Sequence, residues 1–121
     1  MPRTHDSAVA LCQLGDLADG EARGFDLTGN GRDTVFVVRL GATIRTYRNR
    51  CPHQGASLPW RKHAYLSGDG ARIVCHAHGA QFDIDSGECV LGPALGQSLE
   101  CVDIEIGPDG TIRARLPASA S

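Results

Sequence analysis

Two short stretches of this 121-residue chain pair a thiol with imidazoles: Cys51-Pro52-His53-Gln54-Gly55 and Cys75-His76-Ala77-His78-Gly79. As a pattern they read C-x-H, twenty-one residues, then C-x-x-H. Thiolate sulfur and neutral imidazole nitrogen are side-chain donors suited to transition metals. One such element alone would be read as a buried cysteine beside a surface histidine. Two matched elements, each with a glycine one or two residues beyond its second donor, describe a pair of tight loops converging on metal.

The pairing also bears on which metal. A tetrahedral zinc with two Cys and two His satisfies the donor count. Zinc fingers, however, pair Cys with Cys and His with His, whereas each loop here offers one of each. A loop that gives its sulfur to one metal and its nitrogen to another builds a two-metal site. A [2Fe–2S] cluster with two thiolates on one iron and two imidazoles on the other meets that requirement. His76 also follows Cys75, but adjacent side chains of an extended loop point apart. It is therefore expected to be exposed rather than ligating. His63 reads as a solvated loop histidine, and His5 falls in a frayed terminus. Cys12, Cys89 and Cys101 read as small buried hydrophobes, and Trp60 as a packing plug beneath the loops.

The elements that must carry these loops are strands. Thr34–Leu40 (TVFVVRL) is β-branched and apolar, and Gly41-Ala42 turns it into Thr43–Arg48 as a hairpin. Ala8–Leu14 and Glu21–Leu27 read as earlier strands, separated from the hairpin by a turn at Leu27–Gly31. Between Asn49 and Gly96 glycine and proline recur, and only the short runs Ala71–Val74 and Ala80–Ile84 look like strands. Leu99–Ile106 and Thr111–Leu116 then flank Gly107–Gly110 and alternate as a hairpin with one wet and one dry face. No helical periodicity extends beyond two turns. The chain is expected to be one all-β domain over 1–121, with a loop-rich, metal-binding subdomain at about 49–96.

Composition excludes other classes. Twelve Lys+Arg against fourteen Asp+Glu leave a formal charge of −2, which argues against a nucleic-acid binder. Aromatic residues at 5% are too few for a stacking platform on single strands. A hydrophobic share of 41% with 21% charged does not describe a disordered tail. The longest apolar run, Val35–Val38, is far below the ~20 residues of a spanning helix, so no membrane partner is expected. Met1–Gly20 lacks a charged start followed by an apolar stretch, so a cytoplasmic location is expected. Thiols stay reduced there, and five cysteines do not suggest a disulfide framework.

The two loops resemble those of the Rieske family. The resemblance extends to Ala80-Gln81-Phe82-Asp83, to the Ser86-Gly87 turn and to Gly92-Pro93, similar to the family's proline loop. It spans roughly residues 33–116. It implies a Rieske-type fold of three stacked antiparallel sheets with the cluster at the tip of a loop-rich insert. It also implies one [2Fe–2S] cluster per chain, with Cys51 and Cys75 on one iron and His53 and His78 on the other. The linker between the loops is a few residues longer than in the commonest members, and Lys62–Gly70 reads as an extra hairpin tip.

Four positions speak to the kind of member. Where high-potential relatives carry an inter-loop disulfide, this chain has Ala56 and Ala77. Where they carry donating hydroxyls, it has Ala80 and Phe82. The resemblance therefore implies a potential near the bottom of the roughly −150 to +300 mV span of these centres. It points to the ferredoxin-type branch, which passes single electrons from a flavin-containing NAD(P)H reductase to a terminal, often aromatic-ring-hydroxylating, oxygenase. Such a protein is an electron carrier rather than an enzyme, and a monomer is expected. The small Rieske subunit of a nitrite reductase is the alternative, and a structural zinc module a more distant one. Arg39, Arg45, Arg48, Arg50, Arg61 and Lys62, with no acid between Thr34 and Gly68, suggest a basic collar for an acidic partner.

Imidazole ligation has a measurable consequence. Ferric iron favours loss of the remote ring proton and reduction favours its retention. The reduction potential is expected to fall with pH above the oxidised-state pKa. A potential that stays flat from neutral to strongly alkaline pH contradicts imidazole ligands.

Overall fold

A computed structural model describes residues 6–27, 29, 31, 33–52, 58–59, 63–68, 70–76 and 79–117. Among them nine strands run in order: β1 (Asp6–Gln13), β2 (Glu21–Phe25), β3 (Val35–Leu40), β4 (Thr43–Arg48), β5 (Arg72–Cys75), β6 (Ala80–Asp83), β7 (Cys89–Leu91), β8 (Asp103–Ile106) and β9 (Thr111–Pro117). A 3-10 turn at Leu14–Asp16 is the one helical element described. The strands form three antiparallel sheets, ordered β1-β9-β8, β2-β3-β4 and β5-β6-β7. The expected all-β architecture of three antiparallel sheets is the one observed. Among the described residues no helix is long and apolar enough to cross a membrane.

Strand β3 explains how the sheets share a core. It is central in its sheet, and Val35, Phe36, Val37 and Val38 are all fully buried. Side chains alternate across a strand. Phe36 and Val38 therefore pack with Cys51, Leu58, Tyr65, Cys75 and Phe82 of the insert. Val37 packs with Leu17, Ile44 and Ile112, and Val35 with Val102 and Ala114. Burial of each such side chain contributes about 1.5–3 kcal/mol. A β-branched strand buried on both faces is thus the wall against which insert and outer sheet both rest.

The structure departs from the sequence reading in several places. Strand β9 is central, paired with β8 and also with β1, whose Gln13 lies opposite Thr111. β7 is three residues long, too short for its alternation to mark it in the sequence. The dry face of β8 fades: Val102 is buried, Ile104 partly so, and Ile106 is 45% exposed. β8 is an edge strand, and its far end runs past the cover of the core. Cys101 is exposed rather than buried and Cys12 is half-buried, while Cys89 is buried as expected. Cys101 and Val102 are adjacent, so alternation allows only one of them inside, and Val102 takes that place.

The linker expected as a hairpin tip holds a core residue. Tyr65 is fully buried, its ring stacked on Phe36 at 4.1 Å with its hydroxyl donating to Asp33 Oδ2 at 2.7 Å. Among the described residues of this stretch, the tip is the turn at its end, where the Gly70 N–H donates to Ser67 O. His63 is exposed and adopts φ +68, and its Nδ1 accepts the Gly24 N–H at 3.0 Å. It is a histidine anchored to β2, not merely a solvated one.

β2 must approach this linker closely, which explains Gly24. A Cβ there would run into the Asp33 carboxylate and stand 2.7 Å from Tyr65 Oη. The Tyr65 bond holds that carboxylate in place. Gly24→Ala is expected to cost about 2 kcal/mol through overpacking, seen as a lower urea midpoint. An unchanged midpoint would show that the approach is not tight.

Candidate metal centre

The first loop leaves β4 at Arg48. The Asn49 N–H donates to Thr34 O at 2.9 Å, and the chain passes through Cys51, which is 1% exposed. It returns at buried Leu58, whose N–H donates to Asn49 Oδ1 at 2.8 Å. The second loop is the turn between β5 and β6. Cys75 ends β5 at 0% exposure and sits opposite Ala80 in the ladder. The Gly79 N–H closes the turn on Cys75 O at 2.8 Å, with Gly79 at φ +76, a conformation glycine adopts without strain.

A third loop closes against both. Gly92 lies on Ala80 so tightly that a Cβ would stand 2.9 Å from Ala80 Cα, and its φ is +100. Gln97 Nε2 donates to Pro52 O at 3.3 Å, reaching back to the first loop. The first two loops are joined directly, since the His76 N–H donates to Leu58 O at 2.8 Å. Cys51 and Cys75 therefore belong to one apolar core with Leu58, Ala80, Phe82 and Ala94.

The donors fit a metal centre as far as they are described. Both thiols are buried and free of disulfides, and one comes from each loop. His53 and His78 lie outside the described residues, as do Ala56, Trp60, Arg61, Lys62, Ala77 and His5. Among the described residues no three metal-binding side chains gather, and two of the four candidate ligands fall beyond that set. His76 is exposed, as its spacing suggested. Cys89 shares the buried core, but its Sγ lies 3.3 Å from Leu91 O, positioned to donate there. Ala80 and Phe82 are fully buried in that core and carry no hydroxyl.

Of the expected basic collar, Arg39, Arg45 and Arg48 are committed within the fold, while Arg61 and Lys62 lie outside the described residues. Arg39 donates to the Leu14 and Leu17 carbonyls. Arg45 pairs with Asp85 at 2.6 Å, and Arg48 with Glu100 at 3.5 Å. Arg50 is exposed. These acids lie far away in sequence, which is why a chain-local count of charges missed them. The third loop and β7 instead expose apolar side chains: Val90, Leu91 and, at 63% exposure, Leu95.

Beneath the loops, one turn links β6 to β7. Asp83 Oδ2 accepts the Ser86 N–H at 2.9 Å, and the Gly87 N–H donates to Asp83 O. Gly87 gives way to Tyr47, whose hydroxyl donates to Ile84 O at 2.7 Å. Burial, with the nearby Cys101 adding to it, pushes the Tyr47 phenol up to about 12. The Ser86 backbone N–H, then its side chain, hold the Asp83 carboxyl below the usual range. The folded state thus binds fewer protons at Asp83 than the unfolded state. The stabilisation is whole above the ordinary aspartate range and is lost as pH falls through the depressed value. Asp83→Ala is expected to lower the urea midpoint near neutrality and to lower it less in strong acid. Equal losses at both pH values would contradict a role for the charge.

The family model described as "Rieske [2Fe-2S] domain" matches residues 7–106 of this chain. The ferredoxin component of the alkene monooxygenase system of Xanthobacter autotrophicus is 35% identical over 80 residues, which cover 66% of this chain and 60% of that protein. Apoptosis-inducing factor 3 of Mus musculus is 32% identical over 119 residues, 97% of this chain and 18% of that protein. The aligned stretches thus span 60% and 18% of these two curated relatives. The ferredoxin of carbazole 1,9a-dioxygenase from Nocardioides aromaticivorans superposes with a TM-score of 0.66 at 24% identity, covering 89% of this chain and 96% of that one. That last likeness is one of fold.

Proposed function

Because this chain belongs to the Rieske [2Fe–2S] domain family, we propose that it is an electron carrier, a ferredoxin-type component serving a terminal oxygenase. The observation that carries this reading is the pair of buried thiols, Cys51 and Cys75, neither of them in a disulfide, on two loops joined by the His76–Leu58 bond. In this reading Cys51 and Cys75 hold one iron, and His53 and His78 hold the other. When bound, the cluster takes up and releases a single electron.

The protein's own residues set how that happens. The apolar core around Cys51 and Cys75 excludes water from the sulfur side. Ala80 and Phe82 offer no hydroxyl to it, which keeps negative charge on the cluster less stabilised and the potential low. The closing of the third loop on Ala80 and Pro52 seals the same side.

An oxygenase acceptor is supported by the alkene monooxygenase ferredoxin component, the relative that is 35% identical. A flavin-dependent NAD(P)H reductase is the proposed donor. The exposed Val90 and Leu91 of β7 and Leu95 of the third loop support an apolar contact with a partner.

The test is chemical analysis with electron paramagnetic resonance. About two iron and two acid-labile sulfide per chain are expected, with a rhombic signal after dithionite reduction. His78→Ala is expected to abolish the signal and His76→Ala to leave it intact. The reverse pair of results would overturn the ligand assignment, and one zinc per chain with no signal would overturn the carrier itself.

A further inference from the structure

Asn49 is a buried polar residue that no metal-binding pattern singles out, at 4% exposure in the apolar surroundings of the first loop. Both polar atoms of its side chain are committed. Oδ1 accepts the Leu58 N–H at 2.8 Å, and Nδ2 donates to Asp33 O at 3.0 Å. Its own N–H donates to Thr34 O at 2.9 Å. The Leu58 carbonyl in turn accepts the His76 N–H at 2.8 Å. One amide therefore ties together the chain entering β3, the two ends of the first loop and, through Leu58, the residue that follows Cys75.

No other side-chain type matches this arrangement. It requires an acceptor and a donor on one short planar group, with the donor facing a carbonyl. An apolar replacement leaves the buried Leu58 N–H and the Asp33 carbonyl without these partners, a cost borne locally. A carboxylate keeps the acceptor for Leu58 and loses the donor for Asp33. Without such a clamp, two loops separated by twenty-one residues would have to be ordered by the metal centre itself.

We propose that Asn49 is a positioning residue that presets the span between the two cysteine-bearing loops, so that Cys51 and Cys75 stand ready for the cluster. The inference rests on reading those two cysteines as ligands. Residues that orient metal ligands without touching the metal typically change metal retention by roughly 10–100-fold when removed.

The test compares iron loss to a ferrous chelator from full-length wild type, Asn49→Ala, Asn49→Asp and Ile112→Ala. It is paired with thermal unfolding of each apo-protein. Ile112 lies in the other core, against Val37 and Leu17, and its truncation serves as a control for general destabilisation. Asn49→Ala is expected to release iron roughly 10–100-fold faster than wild type, although its apo-protein melts no lower than that of Ile112→Ala. Asn49→Asp, which sets a carboxylate against the Asp33 carbonyl, is likewise expected to release iron faster than Ile112→Ala. Iron loss from both Asn49 variants no faster than from Ile112→Ala, or an Asn49→Ala apo-protein that melts below the Ile112→Ala one, overturns the positioning role and leaves the cluster reading standing. Wild-type protein that takes up no iron overturns that reading, and the inference with it.

Discussion

Two irregular loops must bury sulfur donors without leaving their own backbone unsatisfied. That constraint is met at Leu58. Its N–H is taken by Asn49 and its carbonyl by the N–H of His76. The loops thus satisfy each other rather than relying on regular ladders, and buried polar backbone demands such partners. Cys51 and Cys75 then enter the apolar core as neighbours of Ala80, Phe82 and Ala94. The rest of the molecule supports this arrangement. β3 gives the insert a buried wall through Phe36 and Val38, and the reverse side of the same strand carries the outer sheet.

Much of this was legible in the chain because it is written locally. The β3–β4 hairpin and the hairpin around Gly107–Gly110 follow from alternation and turn residues, and both form. The two Cys-His elements stood out by spacing alone. What escaped the reading is written across long separations. Nothing near Ala8 announces that its strand will pair with residues around Arg115. Tyr65 sits in a stretch with no strand-like alternation, and its stack on Phe36 and its bond to Asp33 reveal it as core. Asn49 carries no sequence signal apart from standing two residues before Cys51, since its role depends on partners at 33, 34 and 58.

Electrostatics shows the same contrast. Six basic residues near the first loop suggest a charged docking ring, yet Arg45 and Arg48 meet Asp85 and Glu100, and Arg39 caps carbonyls near the 3-10 turn. Surface pairs of this kind add little stability, but the charges of Arg45 and Arg48 are matched by acids of this chain. Apolar Leu91 and Leu95 remain open on the third loop. Around the thiols, Ala80 and Phe82 are buried in the same core and carry no hydroxyl, which in the proposed reading keeps the potential low.

The central claim is an unequal donor set, two sulfurs from Cys51 and Cys75 on one iron and two nitrogens from His53 and His78 on its neighbour. Mössbauer spectroscopy of the oxidised, iron-57-enriched protein tests this most directly, because isomer shift and quadrupole splitting report each iron's ligands separately. The account predicts two distinct ferric doublets of equal area. A single doublet from two equivalent irons would contradict it.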